Sequence, residues 1–422
     1  MRIWLITVGE PLPNDGDNVR LYRTGTLADL LSRQGHEVVW WSSTFDHMAK
    51  KQRFPRDTVV DIGERYRLIL LHSLAYNANI SFRRILNHIG IARRFSALAP
   101  REPQPDIIVT SLPTLELAIA AIQYGKHHNV PVVVDIRDLW PDIFLELSPH
   151  LLRPIWRMVL DPYFRLAAAI FRQATAIIGI TPKIVDWGLG YAARPATRLD
   201  IDFPLGYPDV HPTNEALEAA EMFWEQQGVS RDGDSFTSCF FGTLGRQFDI
   251  ETVIKAARLL QEQNTDIRIV LCGTGDNLEK YKQLAGSCRN IIFPGWVGAA
   301  EIWSLMRRAK VGLAPYNSTP DFEMSIPNKV IEYLSAGLPI VSSLQGTVAE
   351  MFFQHACGVT YRQGNPHELA NILGNLQSQP QNQATMSKNA RSLYEDRFSA
   401  EKVYGKLAAH LEDIVHHHRA GE

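Results

Sequence analysis

Ser325-Ile-Pro-Asn-Lys-Val-Ile-Glu-Tyr-Leu-Ser-Ala-Gly-Leu-Pro-Ile-Val341 reads as a helix that runs straight into a strand. Pro327 suits a first helical turn, Gly337 ends the helix, and residues 340–342 continue as a short apolar run. Such a step is half of the repeating unit of a parallel sheet covered by helices. The same alternation extends on both sides. Residues 239–241, 267–272, 291–293, 311–314 and 359–361 read as further buried strands, and 250–263, 278–285, 300–307, 329–335 and 368–376 as helices.

The first half repeats the pattern. Strands are expected at 3–8, 38–41, 68–71, 107–110, 132–135 and 176–180, and helices at 21–33, 82–98, 115–126 and 152–172, the first closed by Gly35. Asp202-Phe-Pro-Leu-Gly-Tyr-Pro-Asp209 interrupts the alternation. The expected fold is α/β, with two Rossmann-like parallel-sheet domains facing a cleft. The first covers 1–204 and the second 205–398, with a final helix at 399–422 packing back on the first. Ligands of such sheets sit at the carboxyl ends of the strands, so the cleft is the expected site.

Composition agrees. The 422 residues suit two domains of about 200 residues, and 45% apolar with 21% charged residues excludes a disordered or coiled-coil chain. Net charge is −2, which gives no pointer to nucleic acid. Residues 1–205 carry 24 basic and 20 acidic side chains, net +4, a weak pointer to an anionic surface. Cys239, Cys272, Cys288 and Cys357 form no C-x-x-C pair, so neither a zinc ribbon nor a disulfide framework is indicated. The start, MRIWLITVGE, is too short in apolar residues for a secretory leader, and 166–180 is cut by Arg172 and Gln173 short of the ~20 residues a span needs. A cytoplasmic protein is expected, at most peripheral on the inner face of the cell membrane. His416-His417-His418 reads as a solvated tail or a metal site.

Several residues carry chemistry. Lys329 and Glu332 share a helical face. They form either a surface ion pair worth at most ~0.5 kcal/mol, or part of an anion site. In the second reading the free N–H groups and dipole of the helix start meet the Lys329 charge, and Glu332 accepts hydrogen bonds from a ribose diol. Cys239-Phe-Phe-Gly-Thr-Leu-Gly-Arg246 runs from strand into a glycine turn before Asp249 opens a helix. Glycines let backbone approach a phosphate, and Arg246 offers a bidentate donor; the alternative is a tight turn with a solvated Arg. Val270-Leu-Cys-Gly-Thr-Gly-Asp276 repeats this logic.

Together FFGTLGR (240–246), LCGTGD (271–276), FPGWV (293–297), SIPNKVIEYLSAGLPIV (325–341) and SRQGHEVVWWSS (32–43) resemble the family 4 retaining glycosyltransferases of GT-B fold. The resemblance spans both domains. Ile136-Arg-Asp-Leu-Trp-Pro-Asp142 looks like the subgroup that builds bacterial surface polysaccharide, lipopolysaccharide included, often on lipid-linked acceptors. It implies a hexosyl- or N-acetylhexosaminyl-transferase using a nucleoside-diphosphate sugar, most simply a UDP-sugar, without metal or other cofactor. It places Glu332 on the ribose, Arg246 and Lys329 on the diphosphate, and the 295–297 backbone near the base. Gly242, Thr243, Gly245, Gly273, Gly275, Trp296, Val297, Ser325 and Asn328 complete the implied donor set.

There are departures. The family's Glu-x7-Glu signature would need a Glu at Met324, and Glu323 is one position out of register. Thr243 stands where the family has Arg, and Arg137-Asp138 where many members have His. Asp135, Asp138 and Asp142 have no recognised metal spacing; turn chemistry and sugar contact remain as readings. In the loop 13–20 and just beyond it, Gly16, Arg20 and Arg23 are candidate acceptor or sugar contacts, as are Arg137 and Asp138. The basic run His47, Lys50, Lys51, Arg53 and Arg56, and Arg83, Arg84, Arg93 and Arg94 on one helix, read as solvated faces or as contacts to anionic lipid. A nucleotide-sugar binder without turnover and an epimerase on the same frame are the rival functions. A nicotinamide dehydrogenase is disfavoured because no G-x-G-x-x-G follows the first strand.

Overall fold

The computed structural model describes residues 1–16, 19–79, 81–146, 148–209, 211–230 and 235–421. They form two compact units, Met1–Pro204 with Ala400–Glu422, and Leu205–Ser399.

The first unit holds β1 (Arg2–Ile6), β2 (Glu37–Ser43), β3 (Phe45–Asp46), β4 (Lys51–Gln52), β5 (Thr58–Gly63), β6 (Tyr66–Leu71), β7 (Ile107–Ser111), β8 (Val132–Ile136), β9 (Ala176–Gly179) and β10 (Ile201–Asp202). Eight of them form one sheet in the order β10-β9-β8-β7-β1-β2-β6-β5, while β3 and β4 pair separately. Every pairing in the large sheet is parallel except β5 on β6. Central strands buried on both faces must be apolar throughout, and Ile3, Trp4, Leu5 and Ile6 are buried without a break. The Trp40-Trp41 pair is core, the Trp40 indole N–H donating to the Thr7 carbonyl at 3.0 Å. Strand β5 was not anticipated. It is an edge strand whose residues alternate between half-buried and exposed, so it lacks a continuous apolar run. The helix Pro182–Ala192 was missed too, because Gly188 and Gly190 depress its propensity. Gly188 is there for packing: a Cβ would lie 2.4 Å from the Ile136 side chain.

The helix Ala400–Ala420 returns to this unit. Val403, Tyr404, Leu407, Leu411, Ile414 and Val415 make one buried stripe in a cluster with Leu27, Leu30 and Leu31 of the helix Arg23–Arg33. Each such side chain contributes roughly 1.5–3 kcal/mol on full burial. The histidine run is no free tail: it lies on this helix, His418 contacts the Asn129 carbonyl at 3.0 Å, and His417 faces Asp413 and Arg198.

The second unit holds β11 (Phe236–Phe241), β12 (Ile267–Cys272), β13 (Ile291–Gly295), β14 (Val311–Ala314), β15 (Ile340–Ser342) and β16 (Gly358–Thr360), all parallel, in the order β13-β12-β11-β14-β15-β16. This is the doubly wound Rossmann order, and its switch point lies between β11 and β14. Asp249 caps the helix Ile250–Glu262, its carboxylate accepting the Thr252 N–H at 3.2 Å. Pro327 precedes the helix Asn328–Ser335 as its N-cap instead of entering the first turn, and Gly337 ends it at φ +67°.

Candidate functional site

The glycine turns of the second unit stack at the carboxyl ends of β11, β12 and β13. The Gly242 N–H donates to the Cys272 carbonyl at 3.1 Å, Leu244 N–H to Thr274 at 2.9 Å, and Gly273 N–H to Gly295 at 2.6 Å. Contact is so close that a Cβ on Gly273 would lie 1.9 Å from the Gly242 carbonyl oxygen, at φ +131°. The β11 and β14 loops are also joined, through Asp249 N–H to the Pro315 carbonyl at 2.7 Å and a Phe248–Tyr316 bridge. Backbone thus closes over the switch point, where open α/β sheets take their ligands.

Lys329 reaches this corner from the helix Asn328–Ser335. Its ammonium donates to the Phe241 carbonyl and lies 4.6 Å from the ring centres of both Phe240 and Phe241. A Cβ on Gly242 would meet Nζ at 3.0 Å, so the charge lies directly against the glycine turn. Both Lys329 and Glu332 are buried, which excludes the surface-pair reading. Glu332, with burial, helps push the hydroxyls of Tyr316 and Tyr333 well above the usual phenol range. No side chain caps the helix start. Asn328, Thr243 and Arg246 are exposed, Gly245 is half-buried, and Gly275 is exposed with φ +152°. Trp296 stands exposed after β13, Val297 is buried beside it, and Ser325 is buried with its hydroxyl toward the Phe322 carbonyl. The structure therefore brings Gly242, Gly273, Gly275 and Lys329 together.

The displaced Glu323 has a different task. Its carboxylate accepts the N–H groups of Gln345 (2.9 Å) and Gly346 and the Ser318 hydroxyl (2.6 Å). It thereby serves the start of the helix Thr347–His355. Nothing local signals the two backbone contacts, because Gln345 and Gly346 lie 22 and 23 residues away.

In the first unit, Arg23 and Arg137 do not present themselves as free contacts. Arg23 is buried, donating to both Asp135 oxygens (2.9 and 3.1 Å) and to the carbonyls of Phe203 and Pro204 (2.8 and 2.9 Å). Arg137 donates to Asp135 at 2.8 Å, to Glu10 and to the Thr24 hydroxyl at 2.9 Å. The expectation that Arg23 contacts a ligand is thus corrected: every arm of its guanidinium is committed to the fold. Burial pushes the Asp135 carboxyl upward, but Arg23 and Arg137 outweigh it and hold it below the usual carboxylate range. Asp138 differs: burial raises its carboxyl, with Arg137 and Arg84 opposing only in part. Gly16 and Arg20 are exposed, while Asp17 and Asn18 of the same loop lie outside the described residues. The basic run is partly spent, since Arg53 pairs with Asp15 and Asp46 and Lys50 donates to Asn79 at 2.5 Å. Among the described residues, no group of three or more His, Cys, Asp or Glu side chains converges as a metal site, and no helix is long and apolar enough to cross a membrane.

Known proteins share this architecture. Residues 23–200 match the family described as Glycosyltransferase Family 4, and residues 223–393 match Glycosyl transferases group 1. The amylovoran biosynthesis glycosyltransferase AmsK of Erwinia amylovora is 27% identical over 168 residues, 38% of this chain and 41% of that protein. The matched curated relatives are covered over 41–60% of their own lengths. Sucrose-phosphate synthase from Thermosynechococcus elongatus superposes with a TM-score of 0.71 at 17% identity, over 98% of both chains. Anabaena Alr3699/HepE, solved with UDP and glucose, gives 0.65 at 15% identity, over 98% of this chain and all of that one. With one family match on each unit and this fold across its length, the chain belongs to the family 4, group 1 glycosyltransferases of GT-B fold.

Proposed function

We propose that this protein transfers a sugar from a nucleoside-diphosphate donor, a UDP-sugar, to a glycan or lipid-linked acceptor in bacterial surface-polysaccharide assembly, with retention of anomeric configuration. The observation that carries this reading is the stack of Gly242, Gly273 and Gly275 against the buried Lys329 ammonium at the switch point. UDP in the HepE structure and the polysaccharide role of AmsK support the donor and the process. As the bond from the sugar carbon to the diphosphate breaks, negative charge builds on the leaving oxygen. Lys329, Arg246 and the uncapped start of the helix Asn328–Ser335 stabilise that charge. The acceptor oxygen bonds to the same carbon, and its proton passes to the departing diphosphate.

Arg246→Ala and Lys329→Ala lower kcat more than they raise KM, because this charge peaks beyond the ground state. Activity persists in EDTA; loss with chelator and recovery with Mg²⁺ or Mn²⁺ contradicts the metal-free route. Glu332→Ala weakens UDP binding by roughly 1.5–3 kcal/mol if its carboxylate takes charge-assisted hydrogen bonds from ribose. Calorimetry on the folded variant decides this, and unchanged affinity removes Glu332 from the donor site. A nucleotide-sugar binder without turnover is the second reading, favoured by the engagement of Glu323 with Gly346. Release of UDP that depends on added acceptor separates the two.

A further inference from the structure

In the second unit, the loops at the carboxyl ends of β11, β14 and β16 are tied together by a chain of amides that ends on Arg246. The Asn317 side-chain nitrogen donates to the Arg246 carbonyl at 2.6 Å, and the Asn317 backbone N–H donates to the Gln247 carbonyl at 2.9 Å. The Asn317 side-chain oxygen accepts from the Gln363 amide at 2.8 Å. Gln363 in turn accepts the Ser318 backbone N–H at 2.9 Å. The direction of this chain is forced from both ends. A backbone N–H can only donate and a backbone carbonyl can only accept. Gln363 must therefore turn its nitrogen to Asn317, and Asn317 its nitrogen to Arg246.

The chain closes into a ring. The Gly364 N–H donates to the Asp249 carboxylate at 3.1 Å, the same group that caps the helix Ile250–Glu262 just beyond Arg246. Ser318 extends the ring to the loop after β15, because its hydroxyl donates to Glu323, which holds Gln345 and Gly346. Arg246 needs such support. It follows Gly245 in a turn whose Gly242 has φ +148°, and glycines restrain a turn least. Its side chain is exposed, and among the described residues no carboxylate pairs with it. A long unpaired guanidinium samples many rotamers, and only the main chain fixes where they start. Asn317 clamps two consecutive carbonyls there, which sets the plane of the peptide leaving Arg246.

We propose that Asn317 and Gln363 are positioning residues for the donor: they aim Arg246 at the outer phosphate of the nucleoside diphosphate, the one that carries the leaving oxygen. The inference deepens the donor reading and rests on it for the role of Arg246. Exposed hydrogen bonds add little to stability, because water replaces them on unfolding. Their effect is on orientation, since a donor already in place costs no reorganisation when charge develops.

The test is calorimetry on the intact chain with UDP and UMP, which differ by the outer phosphate. Asn317→Ala is expected to weaken UDP binding about fivefold and to leave UMP within about twofold, with an unchanged melting temperature. Gln363→Met keeps the length and neutrality of the side chain, removes both of its hydrogen bonds, and lowers the preference for UDP over UMP in the same direction. Arg246→Ala weakens UDP binding at least as much, and adding Asn317→Ala to it costs nothing further. Equal losses for UDP and UMP, or losses that add in the double variant, mean that the amides only brace the loop, and overturn the proposal. Unchanged UDP affinity in Asn317→Ala and Gln363→Met, with Arg246→Ala still weakening it, overturns the proposal and leaves the donor reading standing. Unchanged UDP affinity in Arg246→Ala takes Arg246 out of the donor site, and the proposal falls with that assignment.

Discussion

Asp135→Asn is expected to cost the first unit about 3–5 kcal/mol of stability, the usual loss when one partner of a buried ion pair is removed. Asp135 is 2% exposed and holds two guanidinium groups, Arg23 and Arg137. The amide removes the charge and keeps the shape, so the loss is electrostatic and leaves no cavity. Arg137 retains Glu10, but Arg23 keeps only the carbonyls of Phe203 and Pro204. Urea unfolding followed by tryptophan fluorescence measures the change, and Asp135→Asn combined with Arg23→Met recovers part of it. The pH dependence has a definite sign. The folded carboxyl lies below its ordinary value, so its contribution is complete above the unfolded pKa and is lost as pH falls through the folded one. The variant therefore has a flatter acid limb than the unaltered protein. A loss under about 1 kcal/mol, the exposed-pair range, contradicts this account of the network.

Gly273→Ala is expected to weaken UDP binding by about 100-fold, equivalent to about 2.7 kcal/mol. A Cβ there lies 1.9 Å from the Gly242 carbonyl oxygen, far inside any real contact, and the opposing atom is backbone. The φ of +131° adds strain for any L side chain. The two turns must separate, which moves Gly242 away from Lys329 and breaks the bonds that stack the β11 and β12 loops. Gly374→Ala is the matched control. It lies in the helix Pro366–Ser378 with nothing within 4 Å of the added carbon. There alanine gains roughly 0.5–1 kcal/mol of stability and leaves binding alone. Unchanged UDP affinity in a folded Gly273→Ala protein removes the glycine stack from the donor site.

The sequence by itself determined the alternation of strands and helices, because burial on both faces of a parallel sheet forces local, unbroken apolar runs such as 267–272. It also determined where the chain turns tightly, since Gly35, Gly242, Gly273 and Gly337 adopt backbone angles that other residues resist. Edge strand β5 escaped that reading because only one of its flanks is covered, and a half-exposed pattern is a weak local signal. The tertiary structure alone decided the partners of the charged groups. Arg23 and Asp135 are 112 residues apart, and Lys329 and Phe241 88 apart. Glu323 sits one residue from a family position yet serves a helix start 23 residues on. Lys50, Arg84 and Trp140 converge from three separate stretches of chain on one corner of the first unit. Hydrophobic periodicity is a property of a short window of chain and is legible there. A charge pairing depends on which strands become neighbours and in what register, and no local window contains that information.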